Sequence, residues 1–350
     1  MKRLIVTTYS IIHFIVDLAC NVLVINLVAS KHGNDTLTLF AAVIAYNFFA
    51  FAVQLPIGII ADKLNKNAIC SAIGCLFVSL GFVFYNNAML AAIIAGIGNS
   101  LFHVGGGIDV LNISDKKATP SGIYVSTGAL GVFLGSLSAK YGFNKYYIAH
   151  ILLILSFIAL VYLYTKVKDK VSNVEAKYDK ISISEVIAII CLMITVCIRS
   201  YVGLILNFSW KSNLILAVVA ILSVVFGKML GGIIGDKIGF KKISVISLLL
   251  SGILFIFAFE SPVFGILAIL FFNMTMPITL TALSNILNNN KGFAFGLLTF
   301  ALFVGAMPAF FGDTLVVFNK IGLCIITLVS MIILYIGIKL YENYMEKIEN

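Results

Sequence analysis

Four charged residues interrupt runs that are otherwise apolar: Asp17, Asp109, Arg199 and Lys228. A charge near the centre of a bilayer costs roughly 2.5–3.5 kcal/mol on insertion scales, so each needs water, a partner or a ligand. Asp17 has the richest surroundings. Ser10, His13, Asp17 and Asn21 share one helical face, and Asn99 and His103 are a second pair one turn apart. A carboxylate one turn from an imidazole is a set suited to exchanging protons. Asp17 is therefore the expected proton carrier, with His13 and His103 assisting. Thr195, Arg199, Gly203 and Asn207 form another polar stripe, and Asn273, Pro277, Thr281 and Asn285 a fourth. The stripes carry the residues expected either to line a cavity or to bond neighbouring helices together, with Asn21, Asn99, Asn207 and Asn273 as their neutral members. Arg199 and Lys228 are the candidate contacts for an anionic group on a substrate. Asp109, near the end of its run, is expected to sit within reach of Lys63 or Lys66 as part of a gate.

Other chemistry finds no support along the chain. Gly227-Lys228 is no phosphate-binding loop, because Leu222 stands where the first Gly belongs and Met229 where Ser or Thr does. No Gly-x-Ser-x-Gly or His-Glu-x-x-His occurs, so no enzyme activity and no cofactor are expected. The six cysteines form no Cys-x-x-Cys pair, and no His is spaced to complete a metal site, so no metal is expected either.

The elements that must hold these residues are membrane helices. Hydrophobic residues make up 61% of the 350 and charged residues 11%, with a mean hydropathy of +1.08. Soluble domains carry about 25% charge, so a lipid-embedded chain is implied. Apolar runs place spans near 4–30, 36–61, 67–85, 87–110, 119–140, 145–165, 183–208, 213–235, 243–259, 262–287, 292–312 and 318–338. With the N-terminus inside, 17 of the 24 Lys and Arg fall on the cytoplasmic side and five outside. The net charge of +9 therefore reports orientation and not a nucleic-acid partner. The expected fold class is an all-α polytopic membrane protein with 12 transmembrane helices and both termini cytoplasmic. It is expected to be a monomer in the cell membrane, with lipid, a small molecule and protons as partners.

Residues 58–63 read GIIADK and residues 232–237 read GIIGDK, 174 positions later. At the same offset Asn99 matches Asn273, Lys117 matches Lys291, Gly122 matches Gly296 and Gly131 matches Gly305. A gapless register of this length marks an internal duplication, a common plan for secondary transporters. The expected domains are 1–165 and 183–350, each a six-helix bundle beside a central cavity, joined by a cytoplasmic linker at 166–182. Gly58, Asp62, Lys63 and Lys66 in one copy, and Gly232, Asp236, Lys237 and Lys241 in the other, are the expected cytoplasmic gate. Gly allows close helix approach, and a carboxylate at a helix end can bond the orphan N–H groups of a neighbouring helix.

These two loops resemble the signature of the major facilitator superfamily, which lies between spans two and three and again between eight and nine. Gly122-x8-Gly131-x3-Gly135 resembles that superfamily's exchanger motif, with Ser136 in place of its Pro. His13-x-x-x-Asp17, GNSLFH at 98–103 and Arg199-Ser200-Tyr201 are similar to stretches of fosmidomycin-resistance-type efflux proteins. The resemblance implies two six-helix bundles that move a small molecule by alternating access. Efflux of a drug-like or anionic compound is the first expectation. Metabolite uptake, or a non-transporting sensor on the same scaffold, is the alternative.

Overall fold

Backbone N–H and C=O groups inside lipid can be satisfied only within the chain, and a helix does this locally. The computed structural model describes residues 1–141, 146–171, 181–311 and 319–349, and within them all regular structure is helical. In chain order the helices are α1 (Lys2–His32), α2 (Thr36–Leu64), α3 (Asn67–Val83) and α4 (Ala88–Asn112). They continue with α5 (Thr119–Lys140), α6 (Tyr147–Val171), α7 (Ile183–Ile205) and α8 (Leu214–Ile238). The series ends with α9 (Phe240–Phe255), α10 (Pro262–Ile286), α11 (Lys291–Phe310) and α12 (Lys320–Glu349). Ten of these are long and apolar enough to cross a membrane. The exceptions are α3, an apolar helix of 17 residues, and α9, of 16 residues. Lys145 and most of the 166–182 linker lie outside the described residues.

Local chemistry sets the boundaries. Asp35 opens α2 by accepting from the Thr38 N–H at 3.0 Å, and Asn87 opens α4 by accepting from the Leu90 N–H at 3.1 Å. Ser182 and Glu185 form a reciprocal capping box at the start of α7. Proline shapes the interiors. The π-helical stretch Phe48–Ala52 in α2 directly precedes the turn containing Pro56, whose missing N–H leaves the carbonyl of residue 52 without its usual donor. In α10 regular helix is interrupted at Met274, three residues before Pro277.

Contacts divide the chain into two compact units. The first comprises Met1–Ile113, Thr127–Ala176 and Asn289–Phe300; the second comprises Ser114–Ser126, Lys177–Asn288 and Ala301–Asn350. Each unit thus includes one short segment from the other half of the sequence. In the first unit α3 and α4 lie backbone to backbone. A Cβ added at Gly74 would stand 2.5 Å from the Phe102 nitrogen, and one at Gly98 would stand 2.6 Å from the Val78 nitrogen. Lipid offers no hydrophobic drive between helices, so close packing of this kind fixes where α4 sits and where Asn99 and His103 point. Gly98→Leu should force these helices apart and lower the thermal unfolding midpoint of the purified protein, at a cost of about 1–3 kcal/mol or more. An unchanged midpoint would contradict the packing described.

Candidate functional site

The first unit gathers the polar faces of α1 and α4 into one cluster. His13 Nε2 lies 3.2 Å from Asp17 Oδ2, across one turn of α1. From α4, His103 Nε2 lies 2.8 Å from His13 Nε2 and 3.5 Å from Asp17 Oδ1. Asn99 Nδ2 donates to Asp17 Oδ1 at 3.2 Å. His103 Nδ1 lies 2.9 Å from the Asn99 carbonyl oxygen. A carbonyl only accepts, so Nδ1 carries a proton, and in the neutral form of the ring the Nε2 lone pair is turned toward His13. The side chains of Asp17 and His103 keep 13% and 12% of their surface accessible, enough to leave the cluster short of sealed. Gly128 of α5 closes one side: a Cβ there would stand 2.3 Å from both Asp17 Oδ2 and His13 Nε2. Gly131 and Gly135 continue this close seam along α1, against the Phe14 carbonyl and the Asn21 side chain. Asn21 itself donates to the Asp17 carbonyl and accepts from Ser136.

Asp109 departs from its expected place. It is buried, 4% exposed, and accepts from Tyr9 Oη at 2.6 Å and Asn67 Nδ2 at 2.9 Å. Lys63 and Lys66 are exposed and make no ion pair with it. The reason is rotational. Asp109 faces inward toward α1 and α3, whereas Lys63, in the last turn of α2, and Lys66, between α2 and α3, are exposed. Tyr9, Asn67 and Gly128 were missed by sequence reasoning. Only Tyr9 carried a signal, lying one turn before His13 on the same face of α1.

The second unit holds the other candidates. Arg199 is 8% exposed and donates from Nη1 to Thr279 Oγ1 at 3.2 Å, a bond between α7 and α10. No carboxylate lies within salt-bridge distance of it among the described residues. Lys228 Nζ donates to the Val125 carbonyl at 3.3 Å. Asn273 turns back on its own helix, donating to the Ile269 carbonyl at 2.8 Å. Asn207 is not on the α7 stripe: the helix ends at Ile205, Leu206 takes an extended conformation, and Asn207 is exposed beyond it.

The duplicated loops make duplicated bonds. Asp62 accepts from the N–H groups of Gly292 and Phe293 at 2.7 and 2.8 Å, in the first turn of α11. Asp236 accepts from the N–H groups of Ala118 and Thr119 at 2.7 and 2.9 Å, and from the Thr119 hydroxyl, where α5 begins. Adding 174 to 62, 118 and 119 gives 236, 292 and 293, so both copies use the same atoms in the same register. Each carboxylate meets the positive end of a helix dipole. Gly58 and Gly232 permit the approach: a Cβ would stand 2.1 Å from the Gly292 oxygen and 2.5 Å from the Ala118 oxygen. Of the flanking cations, Lys241 pairs with Glu342 of α12 at 2.7 Å, while Lys237 is exposed.

Solved structures share this fold. The E. coli fucose:proton symporter FucP is 12% identical, with a TM-score of 0.64 over 96% of this chain and 98% of that one. A major facilitator superfamily transporter, also FucP, in the outward conformation gives 14% and 0.58 over 95% and 99%. The human organic anion transporter MFSD10 (TETRAN) gives 11% and 0.68 over 95% and 99%. No curated protein sequence matches the chain. The profile of the Major Facilitator Superfamily, a family of transporters, matches residues 7–309, from α1 into α11. The described helices, the repeated Asp-to-helix bonds and that match agree, and the chain belongs to the Major Facilitator Superfamily.

Proposed function

We propose that this chain is a proton-coupled secondary transporter that exports a small organic anion across the cell membrane by alternating access. The observation that carries the reading is the contact of Asp17 with both His13 and His103 on apolar helices. A carboxylate placed there at a cost of a few kcal/mol, beside two groups that pass protons, is suited to load and release one per cycle. Twelve spans in two six-helix bundles, with both termini cytoplasmic, complete the scheme. The α12 segment and the cation distribution support it. Arg199 supports the anion. A guanidinium has five N–H donors, and this one, nine-tenths buried, spends one on Thr279. A ligand carboxylate or phosphonate would supply the missing charge and acceptors. Export rests on the Gly122–Gly131–Gly135 pattern and on the likeness of the α1, α4 and α7 stretches to fosmidomycin-resistance-type proteins. Uptake is the second reading.

The test is flux of matched anionic and neutral compounds in proteoliposomes, with and without an imposed pH gradient. Transport that responds to the gradient is expected, with anions preferred. Arg199→Gln, in protein that inserts and melts normally, should lower anion flux at least tenfold while changing neutral compounds little. Equal flux of both classes in that variant would remove Arg199 from substrate binding. Gradient-independent flux would remove the coupling.

A further inference from the structure

We infer that His13, Asp17 and His103 form a binding site for a divalent first-row transition-metal ion. Spacing along the chain alone offers no metal site, but α1 and α4 bring together three side chains separated by up to 90 positions. One ligand atom from each lies within 4.8 Å of the others. The nearest approaches are 3.2 Å (His13 Nε2 to Asp17 Oδ2), 2.8 Å (His13 Nε2 to His103 Nε2) and 3.5 Å (His103 Nε2 to Asp17 Oδ1), so each imidazole faces a different oxygen of the carboxylate. An ion about 2.0–2.2 Å from each donor would set such separations at roughly 2.9–3.5 Å, between right-angled and tetrahedral arrangements. A turn of the Asp17 carboxylate, or ligation through both of its oxygens, would complete the set.

The surroundings are those of a ligand set. The Asn99 carbonyl holds the Nδ1 proton of His103, which leaves Nε2 as the ligating nitrogen. Asn99 Nδ2 donates to Asp17 Oδ1 and so orients the carboxylate. Asn99 Oδ1 is buried with no hydrogen-bond partner among the described residues, an acceptor that a metal-bound water can satisfy. Gly128 lets α5 close on the donors without prising them apart. Two imidazoles and one carboxylate suit Zn²⁺, Co²⁺ or Ni²⁺ better than Mg²⁺ or Ca²⁺. Three protein ligands leave a position open for water or an anion. The ion would take the place of the proton that His13 and His103 share, so its presence would arrest any proton cycle at these groups.

The inference rests on donor geometry and stands whether or not the cluster carries coupling protons. Its test is Co²⁺ titration of the purified full-length chain in lipid nanodiscs, read by visible ligand-field absorption and by competition with Zn²⁺. One ion per chain is expected. His13→Ala and His103→Ala should each weaken binding at least tenfold, and Asn99→Ala roughly 10–100-fold. The chain has four histidines, and the double variant His32→Ala with His150→Ala should keep full affinity. Should His103→Ala fail to fold, His103→Cys offers a thiolate, and a sulfur-to-cobalt charge-transfer band should appear. Absence of ligand-field bands in the folded chain would overturn the site. So would unchanged affinity in the His13 and His103 variants, or a His103→Cys spectrum without the new band. Co²⁺ binding in a protein whose flux ignores the pH gradient would overturn the coupling alone.

Discussion

Asp17→Asn should reduce gradient-driven accumulation to the level of simple equilibration, while exchange of substrate across the membrane continues. The side chain accepts from Asn99 and lies against His13 and His103, so an amide of the same shape preserves the packing and removes the exchangeable proton. It stands in permanently for the protonated state. One proton moved per cycle down a gradient of one pH unit is worth about 1.4 kcal/mol, or roughly tenfold accumulation. The wild-type chain should therefore concentrate its substrate about tenfold per pH unit for each coupled proton, and the variant should reach a ratio near one. Counterflow with equal pH on both sides is the control, because it needs binding and reorientation but no net proton movement. Its persistence would place the loss at coupling. Accumulation undiminished in Asp17→Asn would remove this carboxylate from the mechanism. His103→Gln provides a graded companion. It keeps a hydrogen-bonding side chain beside Asp17 but offers no imidazole, so accumulation should fall with counterflow intact.

How far the sequence foretold these features depends on whether they were written locally. Apolar runs and their polar stripes are local, so the helices and the pairs His13–Asp17 and Asn99–His103 could be read from spacing alone. The repeat was legible because its copies are gapless over more than seventy positions. Which helices meet is a long-range property. That α1 and α4 bring His13 and His103 to 2.8 Å depends on the glycine seam between α3 and α4, which no single-helix pattern encodes. Asp109 shows the same limit, since position along α4 said nothing of the side it faces, and the inward side led to Tyr9 and Asn67. Asn207 failed for a different reason. An apolar run continues through Phe208, but the backbone leaves the helix at Leu206, where no proline or glycine announces the change. Gly128 was illegible because a glycine within a helix does not say what approaches it.

The largest effect away from the cluster is expected at the paired carboxylates. Asp62 and Asp236 each accept two backbone N–H bonds at a helix start, with the Thr119 hydroxyl as a third donor in the second copy. Hydrogen bonds to a charged group contribute about 1.5–3 kcal/mol each when buried. Both carboxylates are partly exposed, so about 2 kcal/mol per carboxylate is a fair figure, or on the order of 30-fold in the equilibrium between bonded and released helix starts. Asn in either position keeps one acceptor oxygen but presents an NH2 to the second N–H, exchanging a bond for a clash of donors. Asp62→Asn should therefore speed amide hydrogen exchange at Gly292 and Phe293, and Asp236→Asn should speed it at Ala118 and Thr119. The two effects should be separate, because each pair lies within its own compact unit. The double variant should lose both protections and, if these bonds must form and break in each transport cycle, most of its turnover. Exchange by mass spectrometry on peptides spanning 115–121 and 289–295 reads this without knowledge of the substrate. If protection at those helix starts is the same in wild type and both variants, the carboxylates do not hold them. If protection falls while turnover stays whole, the bonds are structural ornaments of the fold and the gate lies elsewhere.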